Sequence, residues 1–244
     1  GGRRVSILLA IAKREFLSFF LLPVGWIVIS LFLLLTGSVF AGAILGPGQP
    51  ATLRPFFAIA GWLMLPVVPA VSMRLFSEEI RTGSIETLLA APVRDGVMVL
   101  GKFLGAAMFL VAMLLPTAAY PITLFAVSSP APDPGPILAG YASVVLLGAL
   151  SLAIGTVASA STSSQTLAFL STLFVLLGLL LLPSIPAGAI PSWARPVVEW
   201  LSIQGRMADF AKGVIDTSHI AWFLACTGWL LVVASLVLQS RRWR

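Results

Sequence analysis

The sequence has few polar and reactive residues, and each shortage excludes a class of function. Only 10% of its 244 residues are charged and its mean hydropathy is +1.04, whereas disordered chains, coiled coils and nucleic-acid-binding domains need far more charge. The single cysteine, Cys226, allows neither an intramolecular disulfide nor a cysteine metal cluster. The single histidine, His219, excludes paired-histidine zinc motifs. These shortages leave an integral membrane protein as the predicted class.

Six apolar runs are each long enough to cross about 30 Å of hydrocarbon, which takes about 20 helical residues. None of them contains Asp, Glu, Lys, Arg or His. Because backbone polar groups inside lipid must be satisfied within the segment, each run is predicted to be a helix. The predicted fold is therefore an all-α integral membrane protein whose six-span domain covers residues 24–244. The predicted spans are residues 24–45, 56–73, 103–127, 137–158, 163–182 and 220–238.

The basic residues are divided unequally between the two sides of this topology. Segments 1–23, 74–102, 159–162 and 239–244 carry 11 of the 15 lysines and arginines. The positive-inside rule therefore places these segments, and both termini, in the cytoplasm. The net charge of +6 is scattered along the membrane edges and forms no basic face, so we expect the lipid bilayer and not nucleic acid as a partner.

Residues 1–23 precede the first span and are amphipathic, which predicts a helix lying in the cytoplasmic interface. Glu15 breaks the pattern because it projects from the apolar side. The alternative is an extension of the first span that bends at Pro23. The apolar side of the helix consists of Ile7, Leu8, Ile11, Ala12, Phe16, Phe19 and Phe20.

The cytoplasmic loop 74–102 holds four of the nine acidic residues. Thr82 to Ser84 would end one helix and cap another, which Pro92 would stop. Asp95 is predicted to cap the helix that leads into the third span. A short amphipathic helix at this position suits the docking of a partner protein, and a solvated loop whose charges only set topology is the other interpretation.

Two runs of residues resemble a known family, the ABC-transporter permeases of the type-2 export class. The first matches the family's cytoplasmic loop and is Glu79-x3-Gly83-Ser84-Ile85-Glu86-x-Leu88-Leu89-x2-Pro92-Val93, then Gly101-Lys102. The second matches the family's C-terminal end and is Leu201-Ser202, Phe210-x2-Gly213-Val214-Ile215-Asp216 and Arg241-Arg242-Trp243. Within this class the two runs resemble the gliding-motility GldF subgroup and the related nitrous-oxide-reductase maturation permease NosY. Arg94 departs from the Ser or Thr that relatives often have.

The resemblance implies a multi-pass subunit of the bacterial plasma (inner) membrane. It would pair with a second permease half, identical or related, and with two ABC ATP-binding subunits. ATP and Mg²⁺ would bind those subunits, and this chain would hold no cofactor or metal. A coupling helix would dock into the ATPase, and charge reversal at Glu79 or Glu86 would lower ATPase stimulation. The implied docking residues are Glu78, Glu79, Arg81, Thr82, Gly83, Ser84, Glu86, Leu88, Leu89 and Pro92.

A partial phosphate-binding motif runs from Gly96 to Lys102 and is rejected. The next residue is Phe103 where the motif needs Ser or Thr, and a membrane span follows instead of an α/β domain. The chain is therefore predicted to have no ATPase site of its own. Lys102 is predicted to be an anchor whose ammonium reaches the lipid headgroups.

Small residues at four-residue spacing predict close helix contacts in lipid. The sites are Gly101 with Gly105, and Gly155 between Ser151 and Ser159. Packing within one subunit and a seam between two subunits both fit this pattern.

The external segment 183–219 is the longest stretch outside the spans. Ser192 is predicted to cap a helix whose Trp193 and Trp200 suit the membrane interface. The resemblance implies that such helices close the outer end of the pathway, and simple anchoring at the lipid surface is the alternative. His219 is predicted to be a residue at the membrane edge and not a ligand.

Other functions remain as alternatives. An ion-coupled secondary transporter driven by protons would need intramembrane acids or histidines, and none is present, whereas Na⁺ could bind at broken helices. An intramembrane Ser/His enzyme would need its histidine inside the bilayer. Export of a substrate and mechanical signalling driven by ATP both fit the sequence. Spans without charge fit a hydrophobic or amphipathic cargo, or an interface that opens only with ATP.

Overall fold

The computed structural model describes residues 2–46, 48–85, 94–185, 191 and 193–241, and these contain helices and no strand. We number the α-helices in chain order. A π-helical turn, Phe40–Ile44, extends α2, and a 3₁₀ turn, Leu115–Ala118, joins α5 to α6. The helices are α1 Gly2–Leu21, α2 Pro23–Val39, α3 Arg54–Ser72, α4 Ser77–Thr82, α5 Asp95–Leu114, α6 Ala119–Val127, α7 Pro134–Ser161, α8 Gln165–Leu181, α9 Arg195–Leu201, α10 Ile203–Ala211 and α11 Thr217–Arg241.

Five stretches are long and apolar enough to cross a membrane, and they coincide with five of the six predicted spans. The predicted span 163–182 contains α8, an apolar helix of 17 residues, which is about 26 Å long at 1.5 Å per residue. The prediction of an all-helical, multi-pass membrane protein is confirmed, and the count of six spans stays a prediction. The five stretches are Pro23–Ile44, Arg54–Thr82, Asp95–Val127, Pro134–Ser161 and Thr217–Arg241.

Local sequence explains where several helices begin. Leu22 is extended and Pro23 takes the first helical position, where its missing N–H costs nothing. Asp133 caps α7 by accepting a hydrogen bond from the backbone N–H of Gly135. Pro66 and Pro69 lie inside α3, where each removes a backbone donor from the helix.

Helix α7 lies at the centre of the bundle, packed against α3, α5, α8, α10 and α11. Gly155 allows a close approach to α3, because a β-carbon added there would lie 2.5 Å from Cβ of Ser72. At this position the small-residue pattern therefore serves packing within one subunit.

The chain segments that the positive-inside rule assigns to the cytoplasm gather at one end of the bundle. Arg241 donates hydrogen bonds to the carbonyls of Ala160 (3.1 Å) and Ser161 (2.7 Å), which caps the end of α7. Residues 73–85 and 94–102 lie at the same end, and we call it the inner end. At the opposite, outer end, Nε of Arg54 donates to the carbonyl of Ala211 at 3.1 Å.

Candidate functional site: an ionic cluster beside helix α4

Helix α1 packs along α5 with its backbone in direct contact. A β-carbon added to Gly101 would lie 2.8 Å from Cγ2 of Ile11, and one added to Gly105 would lie 2.7 Å from the carbonyl oxygen of Ala12. The extended Leu22 separates α1 from α2, so α1 is a helix of its own. Its position in the membrane interface stays a prediction.

Lys102 lies where α5 meets α1 and α4, and its side chain is only 3% exposed. Its ammonium donates to the carbonyl of Leu75 at 2.5 Å and to Oε1 of Glu79 at 2.8 Å, and Oε2 of Glu15 lies 3.7 Å away. The prediction that this ammonium reaches the headgroups is wrong. Acceptors inside the bundle take the place of water around it, and the ring centre of Phe76 lies 5.0 Å away.

Four side chains form what we call the ionic cluster: Arg14, Glu15, Glu79 and Lys102. Nη2 of Arg14, which is largely exposed, lies 3.7 Å from Oε1 of Glu79. Two cations face two carboxylates, so the charges balance. The cluster joins α1, α4 and α5, and such partly buried charges are tolerated only when they are paired.

The surroundings of Glu15 in the ionic cluster shift the pKa of its carboxyl group. Burial raises the pKa of Glu15 above its ordinary value; Lys102 opposes this rise, while the nearby Glu79 adds to it. The only sequence signal for this role is the break that Glu15 makes in the apolar side of α1. Sequence reasoning missed the cluster because its members come from three separate segments.

We expect Glu15→Gln to gain thermal stability relative to the unaltered protein as pH rises from 5 to 8. Because the folded state raises the pKa of Glu15, it binds the proton more tightly than the unfolded state, so this group's contribution to stability falls as pH rises above about 4.5. Melting in detergent at both pH values measures the difference. Glu78→Gln, on the exposed side of α4, is the matched control, and equal pH profiles for the two variants would contradict the prediction.

The turn between α3 and α4 is held by α7. The hydroxyl of Ser159 accepts hydrogen bonds from the backbone N–H groups of Phe76 (3.0 Å) and Ser77 (3.1 Å) and donates to the carbonyl of Met73 (3.2 Å). The Ser77 hydroxyl also donates to the Met73 carbonyl. Helix α4 is therefore fixed by α7 at its start and by Lys102 through Glu79.

The predicted docking residues fall into three groups. Glu79 turns inward into the ionic cluster, whereas Glu86, Leu88, Leu89 and Pro92 lie outside the described residues. The remaining residues, beginning with Glu78, are exposed at the inner end, where Gly83 ends α4 in the left-handed conformation (φ 73°). The exposed group is Glu78, Arg81, Thr82, Gly83 and Ser84.

The start of α5 differs from its prediction by one position. Arg94, not Asp95, occupies the N-cap, and its side chain makes no capping hydrogen bond. Asp95 is the first helical residue and is buried. A carboxylate in the first turn still interacts favourably with the helix dipole, which explains an acidic residue there.

The external segment contains two short helices, α9 and α10, at the outer end. Ser192, which the sequence predicts to cap this helix, lies outside the described residues, and α9 begins at Arg195. Trp193 and Trp200 are exposed, as residues at a lipid interface would be.

The single histidine contacts a carboxylate at the outer end, because Nε2 of His219 lies 3.2 Å from Oδ2 of Asp209. Among the described residues no group of three or more His, Cys, Asp or Glu could hold a metal ion.

The C-terminal motif of the sequence has a structural explanation. Ser202 caps α10 by accepting from the backbone N–H of Gly205, and Phe210 is fully buried. Gly213 has φ 87° and packs against Pro136 at the start of α7, so a side chain there would be both strained and crowded. The motif therefore fixes the outer helices to the bundle.

Comparison with known proteins agrees with this architecture. The family model described as ABC-2 family transporter protein matches residues 56–242, more than half of the chain. The chain belongs to the ABC-2 transporter family. It is the permease component of an ABC transporter, a membrane subunit that is not itself the ATPase, and permeases of this family generally pair with ATP-binding subunits. No curated protein matched the chain significantly.

Proposed function

We propose that this permease is a six-span subunit of a type-2 ABC exporter, similar to the GldF and NosY proteins. Helix α8 would be its fifth span and α1 its interfacial helix. It would dock an ATP-binding subunit through the exposed side of α4 and the segment that follows. ATP and Mg²⁺ would bind that subunit, a second permease half would complete the pathway, and both termini would lie in the bacterial cytoplasm.

The ionic cluster is the observation that carries this proposal. It ties α4, the start of the docking segment, to α1 and to α5, which leads directly into a span. Because the turn before α4 is also bound to Ser159 of α7, a force on α4 reaches three helices of the bundle through direct contacts. A solvated loop that only sets topology would need none of these contacts.

An ion-coupled secondary transporter remains the alternative function. The buried ammonium of Lys102 lies at the inner end and is paired with carboxylates, whereas ion-coupling sites lie near the bilayer midplane. This position favours an ATPase-driven subunit. Transport on an ion gradient by the permease alone in vesicles would support the alternative instead.

We expect Glu78→Lys and Arg81→Glu each to lower the ATPase activity of the assembled transporter by about tenfold. Both side chains are exposed at the inner end, so reversing their charge places like charges together at the docked interface, which costs about a kcal/mol or more. The measurement is ATP hydrolysis by the complex in nanodiscs. Glu199→Lys, exposed at the outer end, is the matched control.

Correct membrane insertion and a normal elution profile must accompany the loss of activity. If the two inner variants hydrolyse ATP as fast as the Glu199→Lys control, α4 does not dock the ATPase. The proposal that this loop couples ATP hydrolysis to the spans would then be wrong.

A further inference from the structure

An apolar cleft of about 570 Å³ opens between α7, α8, α9 and α11. Its wall includes Ile154 of α7, Leu179 of α8 and Trp200 of α9. Along α11 the lining runs from Trp222 to Leu230, a length of about 12 Å at 1.5 Å per residue. One leaflet of the hydrocarbon core is about 15 Å thick, so the cleft has the length and character to hold much of one acyl chain.

A cation lies beside the outer end of this cleft. The guanidinium carbon of Arg206 is 4.3 Å from the ring centre of Trp222, and its Nη2 donates to the carbonyl of Trp200 at 3.0 Å. Both tryptophans line the cleft. Among the described residues no ion pair includes Arg206. The nearby carboxylate of Asp209 is paired with Lys212 and His219. Its Nη1 lies 3.2 Å from Nδ1 of His219, whose Nε2 lies 3.2 Å from Oδ2 of Asp209, so Arg206 reaches a carboxylate only through the histidine ring.

Two buried N–H donors at the same place lack an acceptor. Nε of Arg206 and Nε1 of Trp222 make no hydrogen bond within the described part of the chain. Leaving a buried donor unpaired costs about 1–3 kcal/mol, and more when the group is charged. An anionic group within reach of these donors would supply the acceptors that they lack and would balance the guanidinium charge.

We propose that the cleft binds one glycerophospholipid of the outer leaflet, with an acyl chain in the cleft and the phosphate accepting hydrogen bonds from Arg206 and Trp222. A purely apolar partner surface would cover the cleft but would leave these two donors without an acceptor, so we assign the cleft to a lipid with an anionic headgroup. The tryptophans at the outer end match the headgroup level. This site is independent of the docking function proposed for the inner end.

Native mass spectrometry of the purified full-length permease with phosphatidylglycerol tests the proposal. We expect one tightly retained lipid per chain. Arg206→Gln should weaken retention about tenfold, and Ala225→Trp, which adds bulk inside the cleft and keeps Arg206 in the sequence, should abolish it. The matched controls are Lys212→Gln, an exposed outer cation, and Leu224→Trp, an exposed position on α11 outside the cleft. Both controls should retain the lipid.

Several results would overturn the proposal. One is retention that is equal in the unaltered protein, Arg206→Gln and Ala225→Trp, and another is a series of equally weak lipid adducts with no first tight one. A third is a loss of dimer in Ala225→Trp with lipid retention unchanged, because the cleft would then be a subunit interface. Retention is measured on the permease without its ATPase, so these results are distinct from a failure of the docking experiment.

Discussion

Lys102→Met is expected to lower the free energy of unfolding of the permease by about 3–5 kcal/mol, because it leaves Glu15 and Glu79 partly buried without their shared cation. The loss is measured as the fall in melting temperature of the detergent-solubilised protein. The matched control is Lys212→Met. The Lys212 side chain is 64% exposed and its ammonium pairs with Asp209 at 3.2 Å, so that variant should lose less than about 1 kcal/mol.

Two further measurements separate the ionic cluster from a general effect of the substitution. Lys102→Met combined with Glu79→Gln should recover part of the stability, since one unpaired carboxylate is removed together with its partner. Lowering the pH should also recover part of it, because burial already raises the pKa of Glu15 and protonation removes the charge. If Lys102→Met has the same melting temperature as the Lys212→Met control, the ionic cluster does not stabilise the fold.

Gly105→Ala is expected to destabilise the permease by about 1–3 kcal/mol through overpacking. The added β-carbon would lie 2.6 Å from Cβ of Glu15 and 2.7 Å from the carbonyl oxygen of Ala12, so the backbone of α1 has to move. Gly228→Ala on α11 is the matched control, because an added β-carbon there meets no atom within 4 Å. That variant should gain about 0.5–1 kcal/mol from helix propensity. Melting of the two variants side by side measures the difference.

Gly105→Ala should also affect function, because it displaces Glu15 together with the rest of α1. We expect the assembled transporter carrying Gly105→Ala to lose ATPase activity, while the complex carrying Gly228→Ala keeps it. Equal melting temperatures for the two alanine variants would show that α1 is not held against α5 in solution as it is in the structure.

The sequence by itself determined the class of protein and located the apolar helices that are long enough to cross a membrane. Hydropathy is a local property that accumulates within a single run, so segments such as 56–73 and 137–158 could be located without knowing their neighbours. The clustering of basic residues likewise predicted which segments meet at the inner end. Helix α8 is the marginal case because its 17 residues are close to the shortest length that spans a bilayer.

Only the tertiary structure decided what the charged residues contact. Lys102 contacts Glu15, which lies 87 residues earlier in the sequence, and Glu79, which lies 23 residues earlier. No local sequence pattern predicts these contacts. The same holds for Ser159, which appears in the sequence as one of several small residues and in the structure binds the turn before α4. These contacts depend on which helices pack together and at what rotation. Single-chain periodicity does not contain that information, because packing is set by the shapes of two surfaces at once.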